Sequence, residues 1–297
     1  MGRSRSLIFI PGNNPRFLEK SKTINADILC FDLEDSVPFD EKVSARKLVK
    51  KTIQEVNALD KFNKQIIVSV RINAPDSGLA VDDLKEIITE GIDAVVIPKV
   101  ETELQVNNLS KVVEMLEKEK NMQNDYIKLM PSIESSLGVV NAFTIAKSDR
   151  RISSLIFGIF DFLHDMKIDA ADQDILTNYM YARAKVPVDA RAAGVDSIDS
   201  IWQNIADTSG LEKDLIFGKR LGYTGKCVIH PSQIDPVHKI FSPSTHDIQW
   251  AKKVVSALDM STIQQKTKIG AVNLEGKMID AVHYKQAKRI LESSMSH

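Results

Sequence analysis

Eight short, β-rich apolar runs with helix-like stretches between them are the feature that most constrains this 297-residue chain. They fall at 6–10, 27–33, 66–72, 93–98, 127–133, 154–160, 195–201 and 225–230. The stretches at 41–59, 81–91, 103–119, 137–147, 173–193 and 211–222 carry helical periodicity, with Gly91 and Gly222 where helix-ending glycines belong. Continuous apolar runs joined by helices describe parallel strands covered on both faces. Eight of them are what a closed (β/α)8 barrel needs, a fold of about 250 residues. An open doubly wound sheet is the competing architecture, but no GxGxxG follows the first run.

Beyond the eighth run the composition changes at Phe241-Ser-Pro-Ser-Thr. We therefore expect a barrel over 1–240 and an extension over 241–297. In the extension, Val272 and Leu274 alternate ahead of Glu275-Gly276, which reads as a hairpin leading into a closing helix over 281–291. The formal net charge of −1 argues against broad attraction to nucleic acid or to an anionic membrane. Cys30 and Cys227 have no CxxC or Cys/His metal spacing and read as buried thiols in a reducing compartment. The first apolar run stops at Pro11-Gly12, too short for a signal h-region or a membrane span. A soluble cytoplasmic protein is expected.

A barrel of this kind places its site at the C-terminal ends of the strands. Those positions hold Asp32, Glu34 and Asp35, then Arg71 and Asn73, Lys99, Glu134, Asp161, Asp199 and His230. Any one of them is an ordinary turn residue; a ring of carboxylates with an arginine and a lysine is not. No histidine precedes His164, so oxygen ligation of Mg²⁺ or Mn²⁺ by Glu134 and Asp161 fits better than zinc. Glu34 and Asp35 would hold water around the ion, or else form a solvated turn. Arg71 emerges from an apolar strand, where its fork suits a substrate carboxylate or a structural ion pair. The loop from Pro11 and Gly12 to Lys20 opens a helix, a place where phosphate or carboxylate binds. His230 reads equally well as a strand cap. Asp280 is an acid in the extension that reads as the N-cap of the closing helix.

The order RSLIFIPGN, ADILCFDLEDSV, VRIN, VVIPKVE, PSIES, FGIFDF, GYTGKCVIHPSQI and NLEGKMIDA resembles the citrate lyase beta-subunit-like family. That family belongs to the HpcH/HpaI aldolase superfamily, with malyl-CoA and citramalyl-CoA lyases as relatives. The resemblance spans almost the whole chain. It implies a (β/α)8 barrel, trimeric or hexameric, that cleaves or forms a 3-hydroxy-3-carboxyacyl-CoA from an acyl-CoA and a 2-oxo acid. It implies Mg²⁺ on Glu134 and Asp161, the oxo-acid carboxylate on Arg71, and water held by Glu34 and Asp35. It also implies that Asp280 serves a neighbouring subunit's site as acid–base. FGIFDFLHDM and IDSI depart from the family's usual residues, which bears on the acyl group. An aldolase for free 4-hydroxy-2-oxo acids is the second enzymatic reading, weakened by the missing early histidine base. A non-catalytic subunit of a lyase complex is the third.

Overall fold

The computed structural model describes residues 4–60, 66–168, 179–265 and 271–295. Eight parallel strands close into a barrel in sequence order: β1 (Ser6–Pro11), β2 (Ile28–Asp32), β3 (Ile67–Arg71), β4 (Ala94–Ile97), β5 (Lys128–Ile133), β6 (Ser154–Phe157), β7 (Asp196–Asp199) and β8 (Gly225–Val228). The ring closes where Leu7 of β1 pairs with Cys227 of β8. Side chains alternate across a strand, so each run must bury both faces. Leu7, Cys30, Val96, Met130, Ile156, Ile198 and Cys227 fill the interior. Their chain neighbours Leu29, Val95, Leu129, Leu155 and Val228 are buried on the opposite face.

The helices of this layer are α1 (Pro15–Ser21), α2 (Lys42–Asp60), α3 (Ala80–Ile87), α4 (Glu103–Glu119), α5 (Ser136–Lys147), α6 (Ile159–Asp165), α7 (Met180–Ala193) and α8 (Thr208–Leu221). A capping box between Thr102 and Gln105 starts α4, and Gly222, left-handed at φ +107°, ends α8 as its position in the sequence implied. Two expectations change. The sixth run is strand only to Phe157, because Gly158 turns the chain and α6 begins at Ile159. The third helix stops at Ile87, short of Gly91. Of the stretch 173–193, residues 173–178 lie outside the described residues.

The chain divides into two compact units, Met1–Val237 and His238–His297, with α9 (Ile234–Phe241) running across the division. In the second unit α10 (Thr245–Gln265) and α11 (Ala281–Met295) flank an antiparallel hairpin, β9 (Val272–Leu274) and β10 (Lys277–Ile279). Ala251, Val254, Leu258, Ile279 and Ala287 form its core. No helix among the described residues is long and apolar enough to cross a membrane.

Candidate active site

The in-register pairing of β2 with β3 sets Asp32 beside Arg71. The Arg71 Nε and Nη2 donate to the two oxygens of Asp32, each at 2.7 Å. Asp32 also accepts the backbone N–H of Glu34 at 2.9 Å and of Ser36 at 3.1 Å, so it shapes the acidic turn that follows it. From the start of α2, buried Lys42 donates to the carbonyls of Leu33 and Glu34 at 2.6 and 2.7 Å and clamps the same turn. Burial pushes the Asp32 carboxyl up, but the Arg71 charge and these hydrogen bonds hold it below its ordinary value. Arg71 Nη1 lies 3.0 Å from Glu34 and 3.3 Å from Asp35, and the guanidinium rests 4.8 Å from the centre of the Phe9 ring.

Lys99, just past β4, holds a left-handed backbone at φ +52°, uncommon for a side chain of its size. Its backbone N–H donates to Glu134 at 3.1 Å. Its ammonium stands 2.7 Å from Glu34, 3.4 Å from Asp35 and 3.8 Å from Asp161. One residue thus gathers acids from the ends of β2, β5 and β6. Asp161 sits in the first turn of α6, where the helix dipole favours an acid. Glu134 reaches its place because Gly158 has no side chain: a Cβ there would lie 2.4 Å from the Glu134 Cγ.

Five carboxylates (Asp32, Glu34, Asp35, Glu134, Asp161) face two cations, Arg71 and Lys99, with the Lys42 ammonium a third positive charge on the carbonyls of the same turn. Burial first, then the charges of Glu34 and Asp161, push the Glu134 carboxyl up to about 8. Burial also pushes Glu34 up to about 7, against the pull of Arg71. The second oxygen of Glu34 is buried and, among the described residues, completes no hydrogen bond, its charged neighbour being the Arg71 Nη1 at 3.0 Å. A site this short of positive charge, with oxygen donors alone, fits a hard divalent cation. Among the described residues no three His, Cys, Asp or Glu side chains stand together as metal ligands. Mg²⁺ is usually held by one or two carboxylates with water and substrate at its other positions.

These groups open onto a cavity of about 660 Å³. Pro11, Lys20, Asp35, Arg71, Glu134 and Asp161 line it; Glu34 is buried behind. Gly12 is not on the cavity wall: its N–H bonds the Asp32 carbonyl, and a Cβ would meet that oxygen at 2.6 Å. Asn14 already caps the first N–H groups of α1, those of Arg16 and Phe17. His230 lines the cavity and caps the short 3-10 turn Pro231–Gln233 by accepting the Ser232 N–H. Asp280 lies in the second unit and does cap α11, accepting from the N–H groups of Val282 and His283 at 2.9 and 3.3 Å. Its Oδ1 is also 2.7 Å from the His283 Nδ1.

The family model for HpcH/HpaI aldolase/citrate lyase matches residues 5–231, the whole of the barrel. The citrate lyase subunit beta of Haemophilus influenzae is 33% identical over 98% of this chain and 97% of its own. This chain belongs to the HpcH/HpaI aldolase/citrate lyase family. The human mitochondrial citramalyl-CoA lyase is 29% identical over 98% of this chain and 86% of its own. A citrate lyase structure from Burkholderia xenovorans superposes with a TM-score of 0.85 at 17% identity, covering 100% of this chain and 93% of its own, which bears on the fold alone.

Within this HpcH/HpaI barrel, two rim positions expected at the site are elsewhere. Asp199 points to the outer face of the wall, as the alternation from inward Ile198 requires, and pairs there with Arg183 and Lys226. Asn73 is buried against Asp83, which it meets through both its backbone and its side-chain amide at 2.7 Å. Arg71 does not present an open fork, since two of its nitrogens hold Asp32. Lys42 and Gly158 were not singled out from sequence. The signals were there: a lysine ten residues after Asp32 at a helix start, and a glycine between a strand and an acid.

Proposed function

We propose that this protein is a divalent-metal-dependent carbon–carbon lyase acting on a 3-hydroxy-3-carboxyacyl thioester, releasing an acyl thioester and a 2-oxo acid. The observation that carries the reading is the union of Glu134 and Asp161 on one cavity wall, with excess acid around them, in a chain of this family. A citrate lyase beta subunit and a citramalyl-CoA lyase among its relatives support it. So does the Mycobacterium tuberculosis protein CitE, solved with magnesium, acetoacetate and coenzyme A, which superposes at a TM-score of 0.74 and 23% identity, covering 99% of this chain and 98% of its own.

Glu134 and Asp161 would hold Mg²⁺ or Mn²⁺. Bound there, the ion supplies Lewis-acid stabilisation for the oxygen on which charge develops. Arg71 offers its Nη1 edge to the substrate carboxylate, displacing half-exposed Asp35, while Asp32 fixes the orientation of the guanidinium. Glu34 and Asp35 accept from water and from the substrate hydroxyl. The hydroxyl proton passes to Asp35 on the cavity wall as the carbon–carbon bond breaks, leaving the 2-oxo acid and the thioester enolate. The enolate carbon is then protonated through Asp280 of a neighbouring subunit in a trimer or hexamer; its hydrogen bonds with His283 hold that carboxyl below its ordinary value, so it must first take up the proton it delivers. Incubation of malyl-CoA, citramalyl-CoA and citryl-CoA with protein and Mg²⁺, following free oxo acid and acyl-CoA, tests the reading. Release that EDTA abolishes and Mg²⁺ restores supports it; no release from any of the three rejects it.

A further inference from the structure

We propose that the pocket selects substrates whose carbinol carbon bears one carboxylate and a small apolar substituent, so that the oxo acid released is a monocarboxylate. Phe9 and Ile201 set that preference. The inference deepens the lyase reading and rests on it.

The first observation is the composition of the cavity floor. Phe9 and Ile201 pack on the apolar interior of the barrel while remaining partly exposed, and both line the cavity with Ile156 and Cys227. The Phe9 ring lies against Arg71, so the apolar floor begins beside the proposed carboxylate anchor. A methyl-sized group attached to the same carbon as that carboxylate would leave water for Phe9 and Ile201, which is favourable.

The second observation is how the cations around the cavity are engaged. Arg71 is bonded to Asp32 on one edge and shared between Glu34 and Asp35 on the other. The Lys99 ammonium is held among Glu34, Asp35 and Asp161. Lys99 itself does not line the cavity; of the basic residues that do besides Arg71, Lys20 is solvent-exposed on α1, and His230 is exposed with its Nδ1 on the Ser232 turn. Among the described residues, a second substrate carboxylate resting on Phe9 and Ile201 would give up its water to an apolar floor and face the acids already crowded there, and the basic lining residues that no acid holds, Lys20 and His230, are solvent-exposed. An unpaired charge is rejected far more strongly than a missing methyl group.

The test compares citramalyl-CoA with citryl-CoA, which differ by methyl against carboxymethyl at that carbon, using the Mg²⁺-loaded full chain. We expect kcat/KM to favour the methyl substrate by about 10²-fold or more. Ile201→Arg, which adds a cation to the floor, should shrink that ratio at least about tenfold by raising citryl-CoA cleavage; Ile201→Gln, should the arginine variant not fold, should shrink it less. Calorimetric titration of the Mn²⁺-loaded protein with pyruvate and with oxaloacetate should give tighter binding of pyruvate. Equal or faster cleavage of citryl-CoA, tighter binding of oxaloacetate, or an unchanged ratio in folded Ile201→Arg would overturn the proposal. If neither thioester is cleaved while pyruvate is still preferred, the lyase reading fails and the pocket preference stands. If neither oxo acid binds and neither thioester is cleaved, both are rejected.

Discussion

Two of the buried charge clusters in the barrel unit are built on opposite principles. On the outer face of the wall, Arg183 and Lys226 meet Asp199 and Asp214, two cations against two acids, all four buried. At the mouth, Arg71 and Lys99, with Lys42 on the turn behind them, meet five acids beside an open cavity. The outer cluster is neutral and closed, as a structural ion-pair network should be, because an unpaired buried charge is costly. The Arg183 charge and that of Lys226 hold Asp214 below its ordinary value in spite of burial. At the mouth the same physics runs the other way: Glu134 and Glu34 are pushed up to about 8 and about 7. Charge balance, more than burial or the number of ion pairs, separates the cluster that holds the fold from the one that awaits a ligand.

The sharpest way to break this contrast is to neutralise acids at the mouth. Glu134→Gln and Asp161→Asn should each lower thioester cleavage by about 10³-fold, with no loss in melting temperature because the acids at the mouth outnumber the cations that balance them. A melting temperature that falls with full activity retained would reverse the roles assigned to the two clusters. Next in size is Arg183→Met, which leaves Lys226 alone against two buried acids, Asp199 and Asp214; it should cost about 3–5 kcal/mol of stability and leave turnover per folded molecule near that of the parent, measured by urea unfolding and steady-state kinetics. The same network predicts a pH dependence. The Asp214 pKa is depressed in the fold, so its stabilisation is full above the ordinary carboxylate range and disappears as pH falls through the depressed value.

Arg71→Lys lies between the two behaviours, since Arg71 both braces Asp32 and faces the cavity. We expect a loss of about 10²-fold in kcat/KM together with a measurable drop in melting temperature, because an ammonium cannot hold both Asp32 oxygens while offering a third nitrogen. Parent-like kinetics would confine Arg71 to structure. The smallest change in stability belongs to Asp280. Asparagine caps a helix as well as aspartate does, so Asp280→Asn should melt with the parent, whereas Asp280→Ala should lose about 1 kcal/mol. Both should lose activity by about 10²–10⁴-fold if Asp280 protonates the enolate. Mixing Asp280→Asn with Glu134→Gln under subunit exchange should restore some activity; no recovery after proven exchange would remove Asp280 from a shared site.

Much of this protein was legible in the sequence, because the signals concerned are local or periodic. Strand runs must bury two faces, and all eight were found at their places in the barrel. The acids at strand ends were visible as polar residues following apolar ones, and Pro11, Lys20, Asp35, Arg71, Glu134 and Asp161 do share one cavity. Tertiary structure alone decided the rest, for reasons of register and reach. Ile198 and Asp199 are chain neighbours, yet the two-residue period sends one into the barrel and the other to its outer wall. That Arg71 gives its fork to Asp32 depends on a pairing between strands 39 residues apart in the chain. That Lys99 reaches acids from three strand ends depends on a left-handed turn no propensity predicts for lysine. Residue chemistry is written along the chain, but which charges are balanced and which are left over is a property of distances, and only the closed barrel sets those.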